Sequence, residues 1–190
     1  EEPAVAPADI SQQHGEAAEQ TTAVETPPSS EESRDALTGL HWKAAFYENA
    51  QRRVAEWKRG GTPAAIVLAK IDDYDKILQD YGRDGCDLIL RAAAQFLKAT
   101  TREMDHLARF DKSEFAMLLP GADLPGVISV AERLRKAVAR CRLPLKDGEM
   151  KFTLSLGAAE PVQGDDVDSL VNRARLLKAL GAEWSHRNES

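Results

Sequence analysis

Arg102 and Asp105 stand three residues apart in the run Arg102-Glu103-Met104-Asp105. On a helical turn, residues at that spacing face the same way. The arginine then presents a planar fork suited to a phosphate or to paired ring acceptors, and the aspartate accepts from N–H groups. The same pair is also the ordinary arrangement of an exposed salt bridge, and spacing alone does not separate the two. A second charged group comes at once, where Asp111, Lys112 and Ser113 form a polar turn ahead of Glu114 and Phe115. Lys70 and Asp72 close an apolar run that begins at Ala64.

Most other chemistry is excluded. The chain holds no Walker glycine loop, no G-x-G-x-x-G, no G-x-S-x-G and no H-E-x-x-H. Its four histidines, His14, His41, His106 and His186, are far apart, and none has metal-ligand spacing to another. His41 and His106 read as ordinary surface or edge residues. Cys86 and Cys141 cannot make a disulfide framework or a cysteine-rich zinc site, and a reducing, cytoplasmic setting fits them. The net charge of −6 argues against a general nucleic-acid or anionic-membrane binder. No stretch approaches the roughly 20 apolar residues of a membrane span. With no signal peptide and no initiator Met, the expectation is a piece of a longer chain, the cytoplasmic part of a larger protein.

The elements that must position these residues emerge from periodicity. Residues 1–34 carry one base against eight acids, a net of −7, so residues 35–190 carry +1. The first segment also has four of the nine prolines and no aromatic residue. Its composition predicts a flexible acidic linker, with a partner-binding tail as the alternative. Phe46, Ala50, Val54 and Trp57 predict a helix over 41–58, and Gly60, Gly61 and Pro63 then break the chain. Residues 64–69 are continuously apolar, as in a central strand buried on both faces. Two helices are predicted over 73–81 and 84–100, separated by Gly82. Residues 106–110 and 115–119 predict a β-hairpin. Asp123 caps the next helix, whose stripe is Val127, Val130, Ala131, Leu134 and Val138. Phe152, Leu154 and Leu156 alternate with polar residues as in a half-buried strand, and Leu170, Ala174 and Leu177 mark a last helix. The order predicts an α+β domain over 35–190, a mixed sheet of ferredoxin-like type flanked by helices.

Several short segments together resemble one family. Asp35-Ala-Leu-Thr-Gly-Leu40 resembles the D-x-L-T-G-L opening of the GGDEF domain, the diguanylate cyclase fold. Ile71-Asp72-Asp73-Tyr74 is similar to its D-I-D-x-F stretch, and Tyr81-Gly82 with Asp87 to its Y-G-H-x-x-G-D segment. Arg109-Phe110 and Glu114-Phe115 match the two ends of the G-G-D-E-F hairpin. Ala131-Glu132-Arg133-Leu134-Arg135 and Ser155-Leu156-Gly157 match its A-E-R-L-R helix and S-I-G strand. The resemblance spans roughly 35–181 and implies a nucleotidyl-cyclase fold whose hairpin carries the motif.

It also implies a chemistry from which this chain departs. Active members join two GTP molecules, one on each subunit of a dimer, using divalent metal held by the first acid of D-I-D and the third hairpin residue. Those positions here are Lys70 and Ser113. The two hairpin glycines, which let backbone approach phosphate, are Asp111 and Lys112. The guanine-reading Asn corresponds to Leu78, its companion Asp is kept as Asp87, and the phosphate-binding Lys aligns with Ala179, beside Lys178. The family's closing Gly-Arg-Asn aligns poorly with Ala182-Glu183-Trp184. Asp111, Lys112, Ser113, Glu114 and Phe115 therefore read as a degenerate motif, no Mg²⁺ is expected, and Lys70 is expected to pair with a neighbouring carboxylate in the metal's stead. The family's inhibitory R-x-x-D site, in contrast, is matched by Arg102 and Asp105, with five residues between Asp105 and Asp111 and with Arg133 in the family's secondary position. The resemblance thus implies an inactive domain that binds cyclic di-GMP. The alternatives are a dimerisation or docking module without nucleotide and, remotely, an active cyclase. Expected partners are cyclic di-GMP, a second copy of the chain and an unidentified upstream domain or protein, with no nucleic acid.

Overall fold

The computed structural model describes residues 34–145 and 148–185, from 177 onward as backbone only. Most of the acidic segment over 1–34 lies outside the described residues. The chain runs β1 (His41–Trp42), α1 (Lys43–Lys58), β2 (Ala64–Ile71), α2 (Tyr74–Thr100), β3 (His106–Arg109), β4 (Glu114–Pro120), α3 (Leu124–Ala139), β5 (Leu143–Leu145), β6 (Gly148–Met150), β7 (Leu154–Ala159) and α4 (Val167–Ser185).

The sheet order is β1-β3-β4-β2-β7, with β1 parallel to β3 and the other pairs antiparallel. This is the mixed, ferredoxin-like α+β arrangement expected. β2 lies between β4 and β7, so its continuous apolar sequence is needed on both sides. Ala65, Val67, Ala69 and Ile71 pack with the α2 and α3 residues Ile89, Leu97, Val127 and Leu134. Ala64, Ile66 and Leu68 pack with Phe46 and Val54 of α1 and Leu170 and Val171 of α4. Ile66, Val67 and Leu68 are wholly buried, each worth about 1.5–3 kcal/mol relative to exposure.

Gly82 breaks α2 where expected, with φ 66° and ψ −165° inside an otherwise helical run. Asp123 caps α3 by accepting from the Gly126 N–H at 3.0 Å. Three details differ from the expectation. The predicted helix from 41 begins only at Lys43, because His41 and Trp42 pair with Ala108 and Arg109 as β1. The strand expected around Phe152–Leu156 is β7 and extends to Ala159, its small residues Gly157, Ala158 and Ala159 lying beside β2. The β5–β6 hairpin was not anticipated.

Candidate functional site

β2, α2, the β3–β4 hairpin, β7, α1 and α4 surround an open cleft of ≈ 1050 Å³. Lys70 leaves β2 at its rim, opposite Glu114 on one side and Ser155 on the other. Lys70 shares a face with Ile66 and Leu68, so its side chain lies on the α1/α4 side of the sheet. Its ladder neighbour Glu114 is engaged elsewhere: this buried carboxylate accepts from Arg175 of α4 at 3.0 Å. Among the described residues Lys70 has no ion-pair partner, so the expected pairing is corrected.

Asp72 is also occupied. Its two oxygens accept from the hydroxyls of Thr153 and Ser155, both at 2.6 Å. Among the described residues no three His, Cys, Asp or Glu side chains converge as metal ligands. Tyr74 is no general base at neutral pH, since burial and then its contact with the Cys86 thiol push its phenol up to about 12. Leu78 and Asp87 lie on α2 on opposite sides of Gly82, and neither lines the cleft. The side chains of Lys178, Ala179 and Ala182-Glu183-Trp184 lie outside the described residues.

The hairpin tip is fastened in two directions. Phe110 and Asp111 both donate their N–H groups to the Glu114 carbonyl, at 2.8 and 3.0 Å, so the turn is tight. The Lys112 ammonium reaches Asp75 at the start of α2, 2.9 Å away and well exposed. Lys112, through its hydrogen bond and its charge, holds the Asp75 carboxyl below its ordinary value. On the other side Arg109 donates from Nη1 to both oxygens of Asp35, at 3.1 and 3.0 Å, and from Nη2 to the Lys112 carbonyl at 3.2 Å. Asp35 also accepts from the Thr38 hydroxyl at 2.7 Å. Burial opposes ionisation of Asp35, but the bonds from Thr38 and Arg109 outweigh it and lower its pKa. The Asp35–Leu40 turn is therefore bolted to the hairpin, a link that no local sequence pattern could reveal.

Arg102 and Asp105 meet in a way the periodicity did not predict. α2 ends at Thr100 and Thr101 is extended, with φ −103° and ψ 162°. The two residues therefore sit on a tight turn rather than a helical one, closed by the Asp105 N–H donating to the Arg102 carbonyl at 3.1 Å. Asp105 Oδ2 accepts the Arg102 backbone N–H at 2.7 Å, which fixes the carboxylate's orientation. The alternative salt bridge between the two side chains does not form. Among the described residues the exposed Arg102 guanidinium has no partner. Arg133, on α3, donates from Nη2 to the Thr100 carbonyl at 3.1 Å. All three residues thus gather around the C-terminal end of α2, away from the cleft.

Residues 32–188 match the family described as "Diguanylate cyclase, GGDEF domain". The chain is 35% identical over 123 residues to the diguanylate cyclase DgcP of Pseudomonas aeruginosa, covering 65% of this chain and 18% of that protein. It is 31% identical over 143 residues to the response regulator PleD of Caulobacter vibrioides, covering 74% of this chain and 32% of that protein. Among solved structures, it superposes with TM-score 0.74 on the GGDEF domain of FimX from Pseudomonas aeruginosa, at 26% identity, covering 80% of this chain and 94% of that one. The diguanylate cyclase SiaD of Pseudomonas aeruginosa, solved with its activator SiaC, gives TM-score 0.74 at 28% identity, covering 80% of this chain and 58% of that one. The GGDEF domain of DgcB from Caulobacter crescentus, solved with cyclic di-GMP, shares the fold with TM-score 0.77 at 24% identity, covering 84% and 93%. The chain therefore spans less than a third of the two curated relatives and nearly the whole of the isolated domains, with the nucleotidyl-cyclase fold throughout. By sequence and by fold, this chain belongs to the GGDEF domain family.

Proposed function

We propose that this domain makes no cyclic di-GMP and instead binds it, at the turn carrying Arg102 and Asp105, as a regulatory module. The observation that carries this reading is the state of that turn. The Asp105 carboxylate is oriented by the Arg102 backbone N–H, while the Arg102 fork is exposed and uncommitted, the condition in which a planar anionic ligand gains charge-assisted hydrogen bonds. Arg133 reaches the same end of α2 from α3.

The cleft supports the inactive half of the reading. Cyclase chemistry in the family uses divalent metal, and the residues present do not suit one. A cation, Lys70, and a hydroxyl, Ser113, stand where the resemblance places carboxylates, and both Asp72 oxygens are already occupied by hydroxyls. Loss of electrostatic stabilisation at such a centre costs several kcal/mol of barrier. The turn at 102–105 shares no residue with the lining of the cleft.

The test is calorimetric titration of the purified chain with cyclic di-GMP. Arg102→Ala is expected to weaken binding by roughly ten- to a hundredfold, the loss of one charged hydrogen-bonding group of about 1.5–3 kcal/mol. Asp105→Ala weakens it too and blurs discrimination against the adenine dinucleotide, Arg133→Ala has a smaller effect, and Lys70→Ala and Ser113→Ala are nearly silent. The reverse ranking would move the ligand into the cleft. No binding at near-millimolar ligand would leave a nucleotide-independent interaction module.

A further inference from the structure

The layer formed by α2 and α3 is strongly basic. Residues 88–102 hold Arg91, Lys98 and Arg102 and no acid, and residues 124–142 hold five bases against Glu132. Together these stretches carry +7, so the remainder of 35–190 sums to −6. The acids of α2, Asp75, Asp80, Asp84 and Asp87, all precede Leu88. Both helices pack on the same side of the sheet, and Arg133 ties them together through the Thr100 carbonyl. Arg91 and Lys98 lie about two turns apart on α2, and Arg133, Lys136 and Arg140 follow one another at helical spacing on α3, so each set forms a stripe. All five are exposed. Of the bases in the two stretches, only Arg135 is in an ion pair among the described residues, with Glu132. Glu103 and Asp105 follow at the turn, and the Asp105 carboxylate is held by the Arg102 N–H.

The chain enters the domain beside these stripes. Arg34 donates to the Gly39 carbonyl at 3.0 Å, and the Lys98 ammonium donates to the Thr38 carbonyl at 2.9 Å. Arg34 therefore lies next to the last turn of α2. Before it come residues 1–33, with eight acids and no lysine or arginine. Their charge of −8 nearly matches the +7 of the α2/α3 layer. At about 3.3 Å per residue such a length of chain spans up to roughly 100 Å, whereas the 16 residues of α3 run about 24 Å. Both stripes are within its reach. Tethering on one chain supplies an effective concentration on the order of millimolar, so that surface charge pairs too weak to matter singly act together.

We propose that residues 1–33 dock in cis on the basic α2/α3 face, their carboxylates lying against Arg91, Lys98, Arg102, Arg133, Lys136 and Arg140. The contact is electrostatic and solvated, and salt weakens it. Two of its cations, Arg102 and Arg133, also belong to the turn proposed above to bind cyclic di-GMP. The docked segment therefore competes with that ligand and sets its apparent affinity. This competition rests on the cyclic di-GMP reading; the docking does not.

The experiment uses the full chain, with a nitroxide on Ser11→Cys and with Cys141→Ser removing the half-buried thiol; Cys86 is buried. At low salt the nitroxide is expected to broaden the ¹⁵N-amide signals of residues 91–102 and 133–140. The broadening should vanish in about 0.5 M NaCl, where the screening length is about 4 Å. It should vanish as well when the eight acids of 1–33 are replaced by Gln and Asn, the control for tethering alone. Lys136→Glu with Arg140→Glu should remove it from α3; both residues are exposed, and an unshifted thermal unfolding midpoint checks that the fold is kept. A mixture of spin-labelled ¹⁴N chain with ¹⁵N chain lacking the label should show none. Absent broadening, broadening unchanged by salt or by neutralising the segment, or broadening in the mixture, which would make the occupant a second copy's segment, would each overturn the docking. In calorimetry the neutralised chain should bind cyclic di-GMP about tenfold more tightly, the worth of two such surface contacts. Equal affinity of the two chains would overturn the competition. No binding by either would count against the cyclic di-GMP site, while the docking, read without ligand, is decided by the nitroxide alone.

Discussion

Asp35 and Arg109 are 74 positions apart in the chain and share a two-point hydrogen bond. Their side chains are 6% and 13% exposed, so water does little to screen the pair. Removing one partner leaves a charge with poor solvation, at a cost of about 3 kcal/mol. Arg109→Ala should lower urea-unfolding stability by about that amount, and adding Asp35→Ala should cost much less than a second independent loss. Fully additive losses would mean the pair is not coupled. Arg109→Lys should not rescue, because an ammonium cannot reproduce the fork. Both residues were visible in the sequence as pieces of separate motifs, but their contact was not, since it is made by tertiary structure alone. The reverse holds at Arg102 and Asp105. Their spacing was legible, yet the geometry that joins them is a turn closed by the Asp105 carboxylate rather than a helical face.

Among the elements, those with enough residues to display a period were readable. β2 and β4 announced themselves by apolar continuity, α3 by its stripe and its Asp123 cap, and the two parts of α2 by the glycine between them. β1, β5 and β6 are two or three residues long, too short for alternation to appear, and each exists because of what it lies beside. Gly82 offers a direct test. Its φ and ψ belong to a region open essentially only to glycine, and a Cβ there would touch nothing within 4 Å. Gly82→Ala should therefore cost about 1–3 kcal/mol from backbone strain alone, read by chemical unfolding; a loss below about 0.5 kcal/mol would show that α2 simply straightens. The β1–β3 edge offers another. His41 and His106 both lie against α1, and burial first, then Arg34 beside His41 and Arg53 and Arg52 beside His106, lowers the pKa of each, with only Asp105 opposing at His106. A lowered histidine means that the unfolded chain takes up protons first as pH falls. The stability these residues contribute is full above their ordinary 6.5 and declines as pH drops from there through the lowered folded values. The urea midpoint should fall between pH 7.5 and 5.5, and fall less in the His41→Gln/His106→Gln double variant. An identical pH profile in that variant would assign the effect to other groups.

For the molecule as a whole, the comparisons establish the family and leave the output of this member as a matter of proposal. Incubation with GTP and Mg²⁺ or Mn²⁺ should yield no cyclic di-GMP above background. Turnover that disappeared on Glu114→Ala would show the cleft to be a working cyclase centre. Restoring Lys70→Asp with Ser113→Asp should not suffice, because Leu78 and the hairpin residues Asp111 and Lys112 remain. Family membership and fold class could be read from ordered fragments of motif; how the cleft and the turn are wired could not, because that wiring runs between elements. At the junction of α2 and α3 such wiring has a mechanical side. The Arg133 guanidinium ties α3 to the last carbonyl of α2, and it stands beside the proposed cyclic di-GMP turn. A ligand that recruits its Nη2 takes that nitrogen away from Thr100. Occupancy would then be reported as slack between two helices, an open joint that hydrogen exchange over the last turn of α2 would register even if no other atom in the domain moved.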